Sequence, residues 1–147
     1  ALNGEIYINN NNLKKFNNLE LSKSLSLVLT ERLPESNLSV FELVALGRHP
    51  YTNWVGKLTD KDLHLIKTEF DQTNTNHFMQ SKYYELSDVQ LQKVLIARAL
   101  AQNTDIIILD EPTAHLDIHH TIETFTLLKK LAQEFNKTII ISHFFNY

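Results

Sequence analysis

Two short apolar runs constrain the fold of this chain more than any other feature. IIIL at 106–109 and IIIS at 139–142 are rich in β-branched residues, and neither alternates with polar residues. Continuous apolar strands are typical of parallel sheets covered on both faces. Between the runs, five large apolar side chains recur at helical spacing: Ile122, Phe125, Leu128, Leu131 and Phe135. Strand, helix and strand in this order predict a right-handed βαβ unit, and so an α/β fold.

The middle of the chain has the pattern of helices. A Ser or Thr followed three residues later by an acid or Gln forms a capping box at a helix start. Three such pairs occur: Ser39 with Glu42, Thr59 with Asp62, and Ser87 with Gln90. We expect Gly47 to end the first of these helices, because Gly favours the position after a helix. A helical insert is therefore predicted within 31–86.

The first thirty residues have the pattern of strands. GEIYI at 4–8 and SLSLVLT at 24–30 alternate and are rich in strand-forming residues, so both predict strands. The run of four Asn at 9–12 has turn chemistry. The chain opens without Met and enters a strand-like run at once, so we expect a sequence entered partway through.

Composition excludes several classes of protein. The chain has 147 residues, a formal net charge of -3 and no Cys. This length fits one domain, and the mild negative charge gives no indication of nucleic acid as a partner. No apolar run approaches the ~18 residues of a membrane span, and no signal peptide is evident. Without Cys the chain has no disulfide scaffold.

Two adjacent carboxylates, Asp110 and Glu111, follow the first apolar run directly. Like charges side by side repel, and neither has a basic neighbour in the sequence. The carboxyl end of a parallel strand is where open α/β sheets bind ligands. An apolar strand that ends in Asp is also how P-loop nucleotide enzymes hold Mg²⁺. The pattern therefore predicts that a metal ion supplies the missing positive charge.

Four motifs resemble those of the ATP-binding subunits of ABC transporters. They occur in the order of that family: LSDVQLQK at 86–93 resembles its signature, IIILDEP at 106–112 its Walker B strand, AHLD at 114–117 its D-loop, and IIISH at 139–143 its switch-histidine strand. ELVALGRHPYTNW at 42–54 and Asp88 resemble, more narrowly, subunits for uptake of ferric siderophores, haem or cobalamin.

The resemblance implies roles for three residues at the strand ends. Asp110 would bind Mg²⁺ through water, and Glu111 would act as the general base or orient the attacking water. His143 would hydrogen-bond the γ-phosphate of ATP. The alternatives without a catalytic role are that the two carboxylates simply form a solvated strand end and that His143 is an ordinary surface residue.

The resemblance also implies roles across a dimer. Ser87, Asp88, Val89 and Gln90 would meet the γ-phosphate of the nucleotide held by the other subunit, and a capped helix N-terminus is an anion site on physical grounds alone. Asp117 would link the two active sites. For Ser87 the alternative is a helix cap and nothing more.

The sequence departs from the family in three places. Asp88 and Val89 stand where the consensus has two glycines, and the Val89 side chain is expected to hinder close approach of phosphate. Thr30 stands where the family has a metal-contacting Gln. No G-x-x-x-x-G-K-[ST] occurs, so the amide cradle and lysine for the phosphates are absent from the sequence given. We therefore expect an internal fragment that does not hydrolyse ATP by itself.

The predicted fold class is α/β, part of the parallel sheet of a P-loop NTPase (ABC ATPase), with an inserted helical subdomain and the remnant of an antiparallel β subdomain. We expect a β segment at 1–30, the helical subdomain at 31–86, and the signature helix, Walker B strand, D-loop and switch histidine at 87–147.

The expected function is that of the ATP-hydrolysing subunit of an importer for iron-siderophore-type solutes, with Mg²⁺ and ATP as cofactors. The implied partners are a second ATPase subunit in a homodimer, integral membrane permease subunits and, indirectly, a periplasmic solute-binding protein. The implied location is peripheral, at the cytoplasmic face of the membrane. Three alternatives stay open: a non-hydrolytic partner that lends its signature helix, an inactive truncation product, and a non-transport ABC ATPase.

An aromatic cluster and a group of histidines lead to two further predictions. Tyr51 and Trp54, exposed beside Arg48, suit a docking surface for a membrane partner. The histidines His115, His119 and His120 could suggest a metal site, but we expect loop and first-turn histidines, since Asp117 is predicted to cap a helix between them.

Overall fold

The computed structural model describes residues 4–29, 33–34, 36–114 and 116–143. Within them the strands and α-helices follow one another as β1 (Tyr7–Ile8), β2 (Asn11–Asn12), α1 (Asn18–Ser24), β3 (Leu25–Val28), α2 (Val40–Ala45), α3 (Asp60–Gln72), α4 (Asp88–Ala101), β4 (Ile106–Asp110), α5 (Ile118–Glu134) and β5 (Thr138–Ser142). Short 3₁₀ helices lie at Leu13–Lys15, Leu46–Tyr51, Asn76–Phe78 and Tyr83–Glu85.

A three-stranded parallel sheet is the centre of the fold. Its strand order is β3-β4-β5, with β4 between the other two. The register pairs Leu109 with Val28 on one side and with Ile141 on the other, and it pairs Asp110 with Ser142. Strands β4 and β5 are joined by α5 and run parallel, so the predicted βαβ unit is confirmed. All three strands end at the same edge of the sheet.

Helices α4 and α5 cover one face of this sheet. Val28, Ile107 and Leu109 point to that face and form a buried core with apolar residues of the two helices: Ile96, Ala99, Leu100, Leu128 and Leu131. On the opposite face, Leu27 and Ile140 are about half exposed, at 53% and 50%. The expectation of a sheet covered on both faces is therefore not met within the described part of the chain.

A second core holds the helical layer together. Helices α2 and α3 pack on α4 around buried residues that include Leu43, Ile66, Phe70 and Val94. Helix α4 contributes to both cores. With 3.6 residues per turn, its Val94 and Ala97 face α2 and α3, whereas its Ile96, Ala99 and Leu100 face the sheet. The helices predicted within 31–86 are present, and the three predicted capping boxes are confirmed at the starts of α2, α3 and α4.

The predicted role of Gly47 is wrong. Helix α2 ends at Ala45, and the chain continues through Gly47 as the 3₁₀ helix Leu46–Tyr51. A Cβ built on Gly47 would lie 2.3 Å from the carbonyl oxygen of Arg98. Glycine is needed here because the backbone passes directly over α4, not because the helix stops.

The N-terminal region differs from the prediction in two ways. Only Tyr7–Ile8 of the predicted first strand is a strand, and it pairs with Asn11–Asn12 in an antiparallel hairpin. Asn9 and Asn10, with φ of 47° and 65°, form the turn, as two left-handed residues do in type I′ hairpins. Helix α1 was not predicted, although Asn17 and Glu20 form a capping box at its start.

The long helix α5 is less buried than its apolar spacing suggests. Leu128 and Leu131 are buried, whereas Ile122 and Phe125 are 58% and 40% exposed. Within the described residues, no helix is long and apolar enough to cross a membrane.

Candidate functional site

The carboxyl ends of β4 and β5 bring the candidate catalytic residues together. Asp110 is the last residue of β4 and pairs in register with Ser142, the last residue of β5. The Ser142 hydroxyl donates a hydrogen bond to Oδ1 of Asp110. Glu111 and His143 follow directly, one on each strand. The parallel register therefore places four polar side chains at one edge of the sheet.

Glu111 has an unusual backbone conformation. Its φ is 48°, in the left-handed region that costs a residue with a Cβ about 1–2 kcal/mol. Two hydrogen bonds hold it there: the Glu111 N–H donates to the Ser142 carbonyl at 3.1 Å, and its own carbonyl accepts from the Ala114 N–H at 3.0 Å. Non-glycine residues in this region cluster at functional sites. This turn changes the direction of the chain after β4 and places the Glu111 side chain next to the end of β5.

The Glu111 carboxylate faces the ring of His143. The distance from Glu111 Oε2 to His143 Nδ1 is 3.6 Å. Both side chains reach solvent, with 21% of Glu111 and 36% of His143 exposed. An acid and an imidazole at this distance, open to solvent, are placed to act on a ligand beyond the strand ends.

The oxygen atoms at this edge fit Mg²⁺. Mg²⁺ is usually bound through one or two carboxylates, with water and substrate phosphates completing its shell. The Asp110 carboxylate and the Ser142 hydroxyl lie side by side and are both hard oxygen donors. Within the described residues, no group of three or more His, Cys, Asp or Glu side chains is clustered as in a protein-only metal site. The donor set therefore suits an ion that arrives with phosphate.

The residues expected to act in trans lie at the start of α4. Ser87 is the N-cap: its hydroxyl accepts from the Gln90 N–H at 3.3 Å, and the Gln90 side chain accepts from the Ser87 N–H at 2.9 Å. Asp88 is exposed and Val89 is half-buried. The cap bonds join Ser87 to the first turn of its own helix, and α4 is a different element from the strands that carry Asp110 and His143.

Asp117 caps α5, as predicted. Its side chain accepts from the His120 N–H at 2.9 Å, and this bond, with the nearby imidazole of His120, lowers the pKa of the Asp117 carboxyl. His120 Nδ1 lies 2.9 Å from Asp117, and His119 lies 3.3 Å from Glu123. These two histidines are first-turn residues with carboxylate partners. His115 and Thr30, which also carried expectations, lie outside the described residues.

The docking surface predicted at Tyr51 and Trp54 does not include the side chain of Arg48. Arg48 is buried, and its Nε donates to Asp62 at 2.8 Å while its Nη1 donates to the Ala101 carbonyl at 2.8 Å. The Tyr51 ring stacks over the guanidinium at 4.1 Å, whereas Trp54 is 97% exposed. Arg48 ties the 3₁₀ helix to α3 and α4, and the exposed aromatic surface beyond it is centred on Trp54.

Ser142 was not identified as a site residue from the sequence. The available signal was the βαβ unit itself, because in-register pairing of IIILD with TIIIS places Ser142 opposite Asp110. That register depends on how α5 packs, which the sequence pattern does not specify.

Comparison with known proteins gives the class and the family. The structure resembles an ATP-binding cassette solved as a dimer in a post-hydrolysis state bound to ADP and Pi; the two are 29% identical with a TM-score of 0.75, over 95% of this chain and 62% of that one. The fold is therefore that of an ABC ATPase, a member of the P-loop NTPases. The ABC transporter family model matches residues 1–114, and the chain belongs to that family.

Curated relatives agree with this assignment. An uncharacterized ABC transporter ATP-binding protein of Methanocaldococcus jannaschii is 41% identical over 139 residues, which are 95% of this chain and 48% of the relative. The iron(3+)-hydroxamate import ATP-binding protein FhuC of Bacillus subtilis is 35% identical over 138 residues, 94% of this chain and 51% of the relative. The chain spans about half the length of these relatives. The resemblance drawn from the four motifs is confirmed.

Proposed function

We propose that this protein is part of the ATP-binding, ATP-hydrolysing subunit of an importer for iron-siderophore-type solutes. The observation that carries the proposal is the edge formed by Asp110, Glu111, Ser142 and His143. It places a carboxylate and an imidazole 3.6 Å apart beside a pair of oxygen donors suited to Mg²⁺. The similarity to the iron(3+)-hydroxamate import protein supports the class of solute.

Each residue at this edge has a separate part in hydrolysis. Asp110, through water, and Ser142 would hold Mg²⁺, which neutralises phosphate charge when bound. Glu111 would accept a proton from the water that attacks the γ-phosphorus, and ADP would leave with the bridging oxygen. With Nδ1 toward Glu111, His143 would donate from Nε2 to a γ-phosphate oxygen. Catalysis then consists of positioning and electrostatic stabilisation, as is usual for phosphoryl transfer.

Ser87, Asp88, Val89 and Gln90 would act on the nucleotide of a second, identical subunit. The dimeric state of the similar cassette supports this. The α4 start offers backbone N–H groups and the positive end of a helix dipole. The branched Val89 side chain would weaken this contact. Asp117, which caps α5 just past the Glu111 turn, would link the two sites.

The proposed partners are membrane permease subunits, and through them a periplasmic solute-binding protein. The proposed location is the cytoplasmic face of the membrane, where the protein would be peripheral. Trp54, almost fully exposed beyond the Arg48 anchor, supports a docking surface between α2 and α3. The chain would form one ATPase domain in three parts: a β segment at 1–30, the helical subdomain at 31–86 and the catalytic part at 87–147.

A chimera tests the proposed function. Residues 4–143 replace the aligned segment of the Bacillus subtilis iron(3+)-hydroxamate import protein, which supplies the rest of the subunit. We expect Mg²⁺-dependent phosphate release from ATP and restored iron(3+)-hydroxamate uptake. A folded chimera without ATP turnover would contradict the proposal. Turnover without uptake would favour a non-transport ABC ATPase.

The 147-residue chain by itself is proposed not to hydrolyse ATP, because its sequence contains neither a glycine-rich phosphate loop nor the lysine of such a loop. Calorimetry with Mg·ATP tests this: micromolar binding would overturn it.

The complete cap at Ser87 favours a second candidate function for this chain, as a partner that lends its signature helix to an intact subunit. The test adds this chain to an intact subunit whose own signature has been inactivated, and it measures ATP turnover. Higher turnover would support the second function. Equal turnover with a Ser87→Ala variant of the added chain would count against it. If neither activity is found, the remaining alternative is a chain without activity.

A further inference from the structure

The carboxylate of Asp117 is held by two donors that both belong to His120. Its Oδ1 accepts from the His120 N–H at 2.9 Å, which is the N-cap bond of α5. Its Oδ2 lies 2.9 Å from Nδ1 of the His120 imidazole. The cap needs only a backbone N–H, which any residue except proline would supply at this position. The imidazole therefore adds a second bond that capping does not require.

The start of α5 differs in this respect from the starts of the other four α-helices in the described chain. In those helices, the side chain of the third residue accepts a hydrogen bond from the backbone N–H of the cap residue. These third residues are Glu20, Glu42, Asp62 and Gln90. The third residue of α5 is His120, and its ring is directed at the carboxylate of the cap residue. In α5 the third residue thus holds the side chain of the cap residue and not its backbone.

The two bonds fix the plane of the Asp117 carboxylate. One bond alone would leave this group free to turn about its Cβ–Cγ bond. A carboxylate has about four lone-pair sites, so each oxygen keeps a site after His120 is bonded. The Asp117 side chain is 63% exposed, so it remains open to a further partner. The bonds from the His120 N–H and ring also lower the pKa of the Asp117 carboxyl, which favours its charged form.

The neighbouring imidazole in the same turn serves a different carboxylate. Nε2 of His119 lies 3.3 Å from Oε1 of Glu123, and Nζ of Lys93 on α4 lies 3.1 Å from Oε2 of Glu123. The His119 ring meets the His120 ring edge-on, with the ring centroids 5.5 Å apart. His119 is therefore a natural control for His120, because it is the adjacent histidine and its side chain is paired with Glu123.

We propose that His120 is a positioning residue, whose imidazole holds the Asp117 carboxylate in the orientation in which it reaches the second subunit. A carboxylate that is already oriented loses less conformational freedom when two subunits meet. We call the Asp117 carboxylate with the N–H and ring of His120 the clamp. The clamp is a property of this chain, whereas its effect on ATP turnover rests on the proposed function. His120 acts through Asp117 and not on the nucleotide.

Nitrogen NMR of the wild-type chain tests the clamp without any substitution. When the His120 ring is neutral, its proton should be on Nδ1, because the Asp117 carboxylate accepts a bond there. The chemical shifts of the two ring nitrogens distinguish the two positions of the proton. A neutral ring with its proton on Nε2 would overturn the proposal, because Nδ1 would then be an acceptor that faces a carboxylate.

Two substitutions of His120 test the second bond directly. Asn places a side-chain N–H donor close to the position of Nδ1, whereas Leu offers no donor. Carbon NMR of this chain should show a higher pKa of the Asp117 carboxyl in His120→Leu than in wild type, with His120→Asn between the two. His119→Leu is the matched control and should give the wild-type pKa of Asp117. An unchanged pKa of Asp117 in His120→Leu would overturn the clamp.

ATP turnover of the chimera tests whether the clamp matters for function. His120→Leu should lower kcat about twofold to fivefold with little change in the KM for ATP, because the substitution disturbs the link between subunits and not the binding of nucleotide. His120→Asn should recover most of the loss, and His119→Leu should match wild type. Equal kcat in wild type and His120→Leu would overturn the catalytic part of the proposal.

A double substitution separates positioning from general damage to the fold. Asp117→Asn keeps an oxygen for the helix cap but removes the second oxygen that the His120 ring holds. In this background His120→Leu should cause no further loss of kcat, because the two residues act as a unit. Independent, additive losses would overturn the proposal. A chimera that is inactive as wild type contradicts the proposed function instead, and the NMR measurements still decide the clamp.

Discussion

The Glu111 carboxylate lies 3.6 Å from the His143 imidazole, measured from Oε2 to Nδ1, although the two residues are separated by the whole of α5. Parallel pairing of β4 with β5 is what brings them together. Each side chain leaves the sheet one residue after its strand ends, and the Glu111 N–H is bonded to the Ser142 carbonyl. The pairing of two neighbouring strands therefore brings the acid and the imidazole together, one residue past each strand end.

Glu111→Gln in the chimera should lower ATP turnover by about 100-fold or more, because Gln keeps the size of the side chain and cannot accept the proton of the attacking water. Phosphate release measures the effect, and ATP binding should persist. The control is Glu123→Gln, which removes an exposed carboxylate paired with Lys93. Equal losses in the two variants would remove the special role of Glu111.

Arg48→Met should lower the free energy of unfolding of this chain by about 3 kcal/mol, since the buried Asp62 carboxylate loses its cation and keeps only its bonds from Thr59. Urea unfolding measures the loss. Lys130→Met is the control, because the Lys130–Glu134 pair is exposed and its atoms are 4.0 Å apart; it should cost less than about 1 kcal/mol. A similar small cost for Arg48→Met would show that the buried pair is not an anchor.

Gly47→Ala should destabilise the fold by about 1–3 kcal/mol, because the new methyl group would overlap the Arg98 carbonyl and push the 3₁₀ helix away from α4. Thermal unfolding of the chain measures it. Gly4→Ala is the matched control, since no heavy atom lies within 4 Å of its added Cβ. A Gly47→Ala variant as stable as wild type would show that the close approach to Arg98 does not require glycine.

Glu69 should make stability depend on pH. Burial raises its pKa from 4.5 to about 7, and its Oε2 has no hydrogen-bond partner within the described residues. Between these two pKa values the folded state binds a proton that the unfolded state has lost. The free energy of unfolding therefore falls as pH rises from 4.5 to about 7, and this contribution levels off above it.

Glu69→Gln should remove that dependence. The difference in unfolding free energy between about pH 5 and pH 8 should shrink by about 1–2 kcal/mol, a value reduced for solvent screening and for the nearby Lys137. Urea unfolding at both pH values measures it. Glu134→Gln, at an exposed carboxylate, should keep the wild-type difference, and the same result for Glu69→Gln would refute the assignment.

Trp54→Ala in the chimera should lower iron(3+)-hydroxamate uptake several-fold and leave basal ATP turnover nearly unchanged, because an exposed aromatic side chain contributes to docking and not to the fold. Tyr51 is unsuitable as the probe since its ring stacks on Arg48. Leu19→Ala, at another exposed apolar residue, is the control. If Trp54→Ala instead abolished ATP turnover with the fold intact, Trp54 would act on hydrolysis and the docking role would be contradicted.

The sequence by itself determined three helix starts and the sheet edge at which Asp110, Glu111 and His143 meet. Capping boxes depend on residues three positions apart, so Ser39, Thr59 and Ser87 were sufficient to place three helix starts. The apolar runs at 106–109 and 139–142 likewise required a βαβ unit, and parallel strands must end at one edge. The candidate roles of Asp110, Glu111 and His143 follow from that topology and from the family resemblance.

Only the tertiary structure decided what depends on packing between distant segments. Arg48 looked like a surface cation beside aromatic residues, and burial against Asp62 and the Ala101 carbonyl made it an anchor. Gly47 looked like a helix stop, whereas the structure shows that a side chain there would collide with the Arg98 carbonyl. Ser142 joined the site only through strand register. Local pattern cannot show these features, because each is fixed by distances between elements far apart in the sequence.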